Sequence, residues 1–469
     1  MRKKSKLSSV FIVFLSFLTV FLSSCGFEDE YNPEVTSRPP LNTVSVETDG
    51  SQTESDDLLK NIEGCDYDGR SFVIVTTSSE YLSKSKNDSL VDNAVEKRNK
   101  AVEEKFGVKI EIKVESPATL VAKGENAVKN GEHYADLIIA PSNVLAELYS
   151  KGCLANINTL PYIEKDAEHI DLELWNASAL NGKLYMLFGA LTQTNYSPWC
   201  VFYNETILSK TGVDPTALYK NGEWTWENFL KCAEKSDNFA ESGFITTATK
   251  ESFFNILWQT TGKKFFEGCS DSPLKLPKID GGKEILSEMK KIMNSVSYNN
   301  SVYGTEALDA FIGGHTGMLL CKRDAVYKIC NSNMNWKAVP MPKYAAESQH
   351  YSPIDGDAVA ASVLLNCDSE FSGRVLNGLI AATKLTVDES IEKNELYYYW
   401  KDNAEALSML EMKKYIYLDI ATIYAPYVGD IAVVTTSEIK NAYDTGITPF
   451  NFYHSTKQQF EIYAAAAFG

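Results

Sequence analysis

Ser71-Phe-Val-Ile-Val-Thr-Thr77, then Val91 to Phe106 closed by Gly107, then Val108-Lys-Ile-Glu-Ile-Lys-Val114, is the stretch whose reading decides the fold. The first segment is β-branched and mostly apolar, as a strand buried on both faces requires. In the second, apolar side chains stand at 91, 94, 95, 102 and 106, which is helical spacing. Ser89 and Asp92 form a capping-box pattern, and Gly107 is a stop signal. The third segment alternates apolar and polar residues, as a half-buried strand does. The same alternation of elements continues outward. A helix is expected at 118–129, a short strand at Asp136-Leu-Ile-Ile-Ala140, and a helix capped by Ser142 running to Lys151 before Gly152. Strand, helix, strand, helix, strand, helix implies a largely parallel sheet with helices on both faces. Ligands of such sheets sit beyond the carboxyl ends of the strands. Attention therefore falls on Ser79 and Glu80 after the first strand, and on Ser142 and Asn143 after the third.

The second half is less regular. Helices are expected at 226–235, 252–261, 281–293, 305–312, 323–330, 369–384 and 403–416. A short strand is expected at Trp199–Tyr203, with Asn204 opening a helix, and another at Met318–Leu320.

Toward the N-terminus the character changes. Basic residues at Arg2, Lys3, Lys4 and Lys6 precede an apolar run from Val10 to Leu22. That run has the length of a signal-peptide core and is short for a membrane span. It ends in Leu22-Ser23-Ser24-Cys25-Gly26, which looks like a bacterial lipobox. The likeness implies a signal peptide over residues 1–24 and a lipid on Cys25, anchoring the chain to the outer face of the cell membrane. Residues 25–64 are rich in serine, threonine, proline and acids, and are expected as a disordered tether.

The 469 residues are 44% hydrophobic and 23% charged, material for a sizeable core over two or three domains. The net charge of −17 is a poor match for nucleic-acid phosphates. The five histidines form no His-Glu-x-x-His or His-x-His pattern, so no metal or other cofactor is expected. Of the nine cysteines, the eight beyond Cys25 are expected mostly as buried free thiols. Cys321 and Cys330 are the nearest in sequence should one disulfide form.

The search for catalysis ends in chance patterns. Ser83-x-x-Lys86, Lys210-Thr-Gly212 and Ser236-Asp-Asn238 match three motifs of penicillin-binding serine enzymes but stand in the wrong order. Asp66-Tyr-Asp-Gly69 starts like a calcium loop, but Thr77 occupies the place of the closing glutamate. A glycosidase would need two facing carboxylates, and nothing marks such a pair.

Ala135-Asp-Leu-Ile-Ile-Ala140, Asn181-Gly-Lys-Leu-Tyr185, Phe202-Tyr-Asn-Glu205, Trp224-Thr-Trp-Glu-Asn-Phe229 and Gly314-His-Thr-Gly-Met-Leu-Leu320 occur in that order behind the signal and tether. Together they resemble the family 1 bacterial extracellular solute-binding proteins, the receptors of ABC importers, over about residues 66–469. The resemblance implies a two-lobe α/β fold, each lobe a mostly parallel sheet flanked by helices, with the ligand cleft between lobes. It divides the chain into residues 66–195 plus about 353–425 for lobe 1, and about 200–345 plus about 435–469 for lobe 2. It implies a monomer that closes on a carbohydrate or small oligosaccharide and then docks on the transmembrane subunits of an ABC permease.

The candidate contacts, beyond the four loop residues above, are chosen by their place in the two-lobe fold that the resemblance implies. Asn195, Tyr196 and Trp199 lie at the first crossing between lobes, and Trp258 on an apolar helix face. Lys322, Arg323 and Asp324 follow a short strand, Asp355 and Asp357 flank the second crossing, and Tyr427 closes Tyr424-Ala-Pro-Tyr427 at the third. Trp224 and Trp226 read as packing for the start of their helix. The aromatic content of 12% suits the C–H faces of sugar rings. A receptor for another solute or for a sensor kinase, a secreted glycosidase and a surface adhesin are the other classes that fit these features.

Overall fold

The computed structural model describes residues 59–84, 89–189, 191–192, 197–265, 282–398, 411–424 and 443–444. The first part of the chain builds β1 (Arg70–Thr76), α1 (Leu90–Phe106), β2 (Val108–Val114), α2 (Pro117–Asn130), β3 (Leu137–Pro141), α3 (Ser142–Ser150) and α4 (Leu172–Ser178). There follow β4 (Trp199–Asn204), α5 (Glu205–Thr211), α6 (Pro215–Lys220), α7 (Trp226–Ser236), β5 (Ser242–Thr246), α8 (Lys250–Gln259), α9 (Gly282–Met293) and α10 (Gly304–Ile312). The remainder comprises β6 (Thr316–Lys322), α11 (Val326–Ile329), β7 (Trp336–Pro340), β8 (Ser352–Pro353), β9 (Val359–Ser362), α12 (Ser369–Leu385), α13 (Val387–Tyr398), β10 (Ile416–Tyr417) and α14 (Ile420–Ile423).

Two four-stranded sheets organise these elements, in the orders β2-β1-β3-β9 and β5-β6-β4-β7. In the first, β1 runs parallel to β2 and β3, with Ile74 opposite Ile112 and Val75 opposite Ile138, while β9 runs against β3. In the second, β5 and β6 are parallel, and β4 runs against both β6 and β7. Each sheet thus has three strands pointing one way and one reversed. A two-stranded parallel pair, β8 with β10, stands apart from both. No described helix is long and apolar enough to cross a membrane.

Ser142 does not cap α3: Pro141 holds the cap position without a side-chain bond, and Ser142 is the first helical residue, its hydroxyl turned to the Gly356 carbonyl. The other local signals act as expected. The Ser89 hydroxyl accepts the Asp92 N–H at 3.1 Å, and the Asp92 carboxylate accepts the Ser89 N–H at 2.9 Å. Gly107 takes the left-handed conformation that ends α1. The buried carboxylate of Asp136 accepts the Val73 N–H at 2.8 Å and so ties the start of β3 to β1. Trp224 and Trp226 are fully buried, their indole N–H groups donating to the Pro340 carbonyl at 2.8 Å and the Thr260 hydroxyl at 3.1 Å. Cys65, Cys153, Cys200, Cys232, Cys321, Cys330 and Cys367 are free thiols, so Cys321 and Cys330 are not paired with each other.

Some elements differ from the sequence expectation. The helix expected at 323–330 is a 3-10 turn, Arg323–Ala325, running into α11. The helix expected at 403–416 lies largely outside the described residues, and its described end is a 3-10 turn, Glu411–Tyr415, leading into β10. Helices α4, α6 and α13 and strands β5, β7 and β9 carry too little periodicity to be found without their partners.

Sheet and helix meet most closely at Gly243, where an added Cβ would stand 2.3 Å from the Ala233 carbonyl oxygen on α7. Backbone on both sides leaves no flexible atom to give way. Gly243→Ala is expected to destabilise the protein by about 3 kcal/mol, read as a lower urea midpoint. An unchanged midpoint would show that α7 is free to shift.

Candidate functional site

The carboxyl ends of β1 and β3 and the start of the reversed β9 lie on one edge of the first sheet. The carboxyl ends of β5, β6 and β7 and the start of β4 share one edge of the second. The segment Asp355-Gly356-Asp357, which leads into β9, joins the two edges. On the first-sheet side, the Gly356 carbonyl accepts the Ser142 hydroxyl at 2.6 Å and the Asn143 N–H at 3.1 Å, while the Ala358 carbonyl accepts the Ser142 N–H at 2.8 Å. These bonds use the free donors at the start of α3. On the second-sheet side, the Trp199 indole N–H donates to Asp355 Oδ1 at 2.6 Å. Lys322 Nζ reaches Asp355 Oδ2 at 3.0 Å and both oxygens of Asp357 at 2.9 Å. Trp199 and Lys322 are opposite each other in the β4–β6 register, so one backbone rung delivers both groups to the same loop.

Lys322 is 27% exposed. Burial works to lower its pKa, but the carboxylates of Asp355 and Asp357 outweigh burial and hold the ammonium above its ordinary value. Arg323 is buried, its N–H donating to the Pro198 carbonyl at 2.9 Å, and Asp324 is exposed beside it. The structure thus brings together Ser142, Asn143, Trp199, Lys322, Asp355 and Asp357, with Arg323 and Asp324 adjoining. Ser79 and Glu80 form a turn after β1, where the Ser79 carbonyl accepts the N–H groups of Leu82 and Ser83. The Glu80 N–H donates to the Ser78 hydroxyl at 3.2 Å, within the same turn. Asn195, Tyr196, Tyr427 and Cys25 lie outside the described residues.

A second set of groups adjoins the loop. The Thr422 carbonyl stands where a Cβ on Gly356 would be, 2.7 Å away, and the Thr422 hydroxyl accepts from Gln259 Nε2 at 3.4 Å. The end of α8 is therefore bound to α14 and, through Gly262 against the Tyr351 ring, to the approach to β8. Four buried side chains in this region have a polar atom without a hydrogen-bond partner: Trp258 Nε1, Gln259 Oε1, Ser352 Oγ and the Tyr424 hydroxyl. Trp258 is otherwise a core residue stacked on Phe265. Tyr424 packs edge-on against Tyr149 at 5.1 Å between ring centroids, and Tyr149 against Tyr185 at 4.8 Å. Burial pushes all three phenols above their ordinary pKa. Sequence reasoning missed Gln259, Ser352, Tyr149 and Tyr185, because each reads as an ordinary member of its element. Tyr424 lay inside a motif from which Tyr427 was chosen.

A family model described as bacterial extracellular solute-binding protein matches residues 97–368, more than half of the chain. The chain belongs to the bacterial extracellular solute-binding proteins. No curated protein matches it. The matched span begins in α1 and ends just before α12, so it takes in the whole second sheet and the loop that joins the two edges.

Two expectations follow for this solute-binding protein. Lys322→Met leaves Asp355 and Asp357 facing each other without their cation. The loss is expected to be about 1–2 kcal/mol at low salt and smaller in about 1 M salt, which screens the pairs. Urea unfolding at the two salt concentrations checks this, and an equal loss at both would show that the ion pairs hold nothing.

The second concerns Asp419, which caps α14 from a buried position. Burial raises its pKa to about 6, although the N–H groups of Phe265 and Ala421 pull the other way from 3.1 and 2.8 Å. Its unfolded value is near 4, so the proton's contribution to stability is complete below pH 4 and lost as the pH rises to about 6. The amount is about 3 kcal/mol. The stability of the native protein relative to Asp419→Asn should fall by that amount between pH 4 and 6.5, then level off. A pH-independent difference would contradict the burial effect.

Proposed function

We propose that this protein is the lipid-anchored substrate-binding receptor of an ABC importer, and that its solute is a neutral carbohydrate or small oligosaccharide. The two sheets are read as the cores of two lobes, residues 66–195 with about 353–425 and about 200–345 with about 435–469. The single observation that carries this reading is that the carboxyl edges of both sheets converge on one loop. Ligands of α/β sheets bind at such edges, and two of them set edge to edge make a cleft. The chain segments that pass between these parts are read as the crossings about which the lobes close.

The choice of a neutral, hydroxyl-bearing solute is supported by which groups are left to meet it. The cation at the junction, Lys322, is already matched by Asp355 and Asp357. The four unpartnered atoms of the second set are uncharged: an indole N–H, an amide oxygen and two hydroxyls. Buried groups of this kind cost free energy until they are paired, and sugar hydroxyls offer both donors and acceptors. Tyrosine rings supply the apolar faces that pack on sugar C–H groups. Cys25 is read as the lipidated residue after removal of residues 1–24, with residues 25–64 as the tether.

A thermal-shift panel of mono- and oligosaccharides, amino acids and peptides tests this. A ligand that binds only the native state raises the melting temperature by mass action. The expected result is a dose-dependent rise with one class of neutral sugar and no product formed over hours. A rise with peptides or amino acids alone would overturn the sugar assignment. Turnover of a glycan would overturn the receptor reading.

A further inference from the structure

Cys200 and Cys321 are directly opposite each other in the antiparallel β4–β6 ladder. Both are free thiols, and both are buried. Residues opposite each other in such a ladder face the same side of the sheet, with Cβ atoms about 4.5–5.5 Å apart. A disulfide needs about 3.5–4.5 Å between Cβ atoms. The register alone therefore brings their Cβ atoms to within about 1 Å of the separation a disulfide needs. Other buried thiols are engaged differently: Cys153 donates to the Lys151 carbonyl at 3.6 Å and Cys330 to the Tyr327 carbonyl at 3.5 Å.

We infer that Cys200 and Cys321 close into a cross-strand disulfide in the exported protein. The family to which the chain belongs is extracellular, and disulfides form and persist outside the cytoplasm. The two thiols lose two protons and two electrons and form one S–S bond. The oxidant is the disulfide of a thiol–disulfide oxidoreductase or a small-molecule disulfide, which is reduced to two thiols. Burial pushes both thiols above their ordinary pKa, which disfavours the thiolate needed for exchange. The bond therefore forms while the strands assemble rather than after the sheet is closed. It encloses the chain from 200 to 321, a long loop whose closure in the unfolded state favours the native one. Side chains alternate along a strand, so Trp199 and Lys322, on the neighbouring rung, point to the opposite face toward Asp355. The cross-link fixes the spacing of the two strands that present them.

The test uses the full-length exported protein, unfolded and refolded once in a glutathione redox buffer and once in excess reductant. Free thiols are alkylated with iodoacetamide in denaturant, and the unreduced protein is digested and weighed by mass spectrometry. The expected result is a peptide pair joined through Cys200 and Cys321, lighter by two hydrogens than the sum of its parts, and separated by reduction. The oxidised protein should melt several degrees above the reduced one. Cys200→Ala, whether or not its own stability changes, should abolish that redox difference. Alkylation of both Cys200 and Cys321 in the oxidised sample would overturn the inference, as would either of them bonded to Cys232, Cys330 or another cysteine.

Discussion

Contact between the two sheets depends on the space around Gly356. Its carbonyl is shared by the hydroxyl of Ser142 and the N–H of Asn143, so the start of α3 rests on this loop. From the other side the Thr422 carbonyl comes so close that a Cβ would stand 2.7 Å from it. Only glycine admits the Thr422 carbonyl at that distance. Once its backbone is held, the carboxylates of Asp355 and Asp357 are presented to Lys322 and Trp199 at hydrogen-bond distance. Backbone bonds fix the loop to the first sheet, and charge-assisted bonds fix it to the second. The second kind is the more sensitive to salt where it reaches the surface, at the exposed carboxylate of Asp357.

The parts of the fold that are legible in the sequence are those whose information is local. Val91 to Phe106 reads as a helix because its apolar residues repeat with helical spacing between a capping box and Gly107. Val108 to Val114 reads as a strand because it alternates. By contrast, Val359-Ala-Ala-Ser362 carries no pattern of its own. It is a strand because Ala360 and Ala361 find Ala140 and Ile139 on β3, more than two hundred residues earlier. Ser242-Gly-Phe-Ile-Thr246 hides for a different reason. Its glycine argues against a strand until the close approach of α7 explains why no larger residue fits.

The candidate site was legible by position and not by pairing. Lys322, Asp355 and Trp199 could be chosen because each stands at a strand end or a crossing. That the three would bind one another depends on a rung of β4–β6 meeting a loop far along the chain, which spacing does not encode. Gln259 ends a mostly apolar helix and Ser352 opens a two-residue strand, so nothing in their neighbourhoods marks them. They stand out only when each buried polar atom is asked for its partner.

The two sets of groups at the junction differ in a way that bears on the solute. Lys322, Asp355 and Asp357 are matched with one another, whereas the four buried atoms left unpartnered in the second set are uncharged. An anionic solute would have to take Lys322 from two carboxylates already in place, and would approach a chain of net charge −17. A cationic solute would be drawn in by that charge, but taking Asp355 and Asp357 would displace Lys322 and leave a partly buried ammonium unpaired. A neutral solute meets neither obstacle. It pairs with donors and acceptors that cost free energy while empty, and it leaves the ion pairs intact. The electrostatic pattern and the open hydrogen-bonding groups therefore favour the same kind of ligand for independent physical reasons.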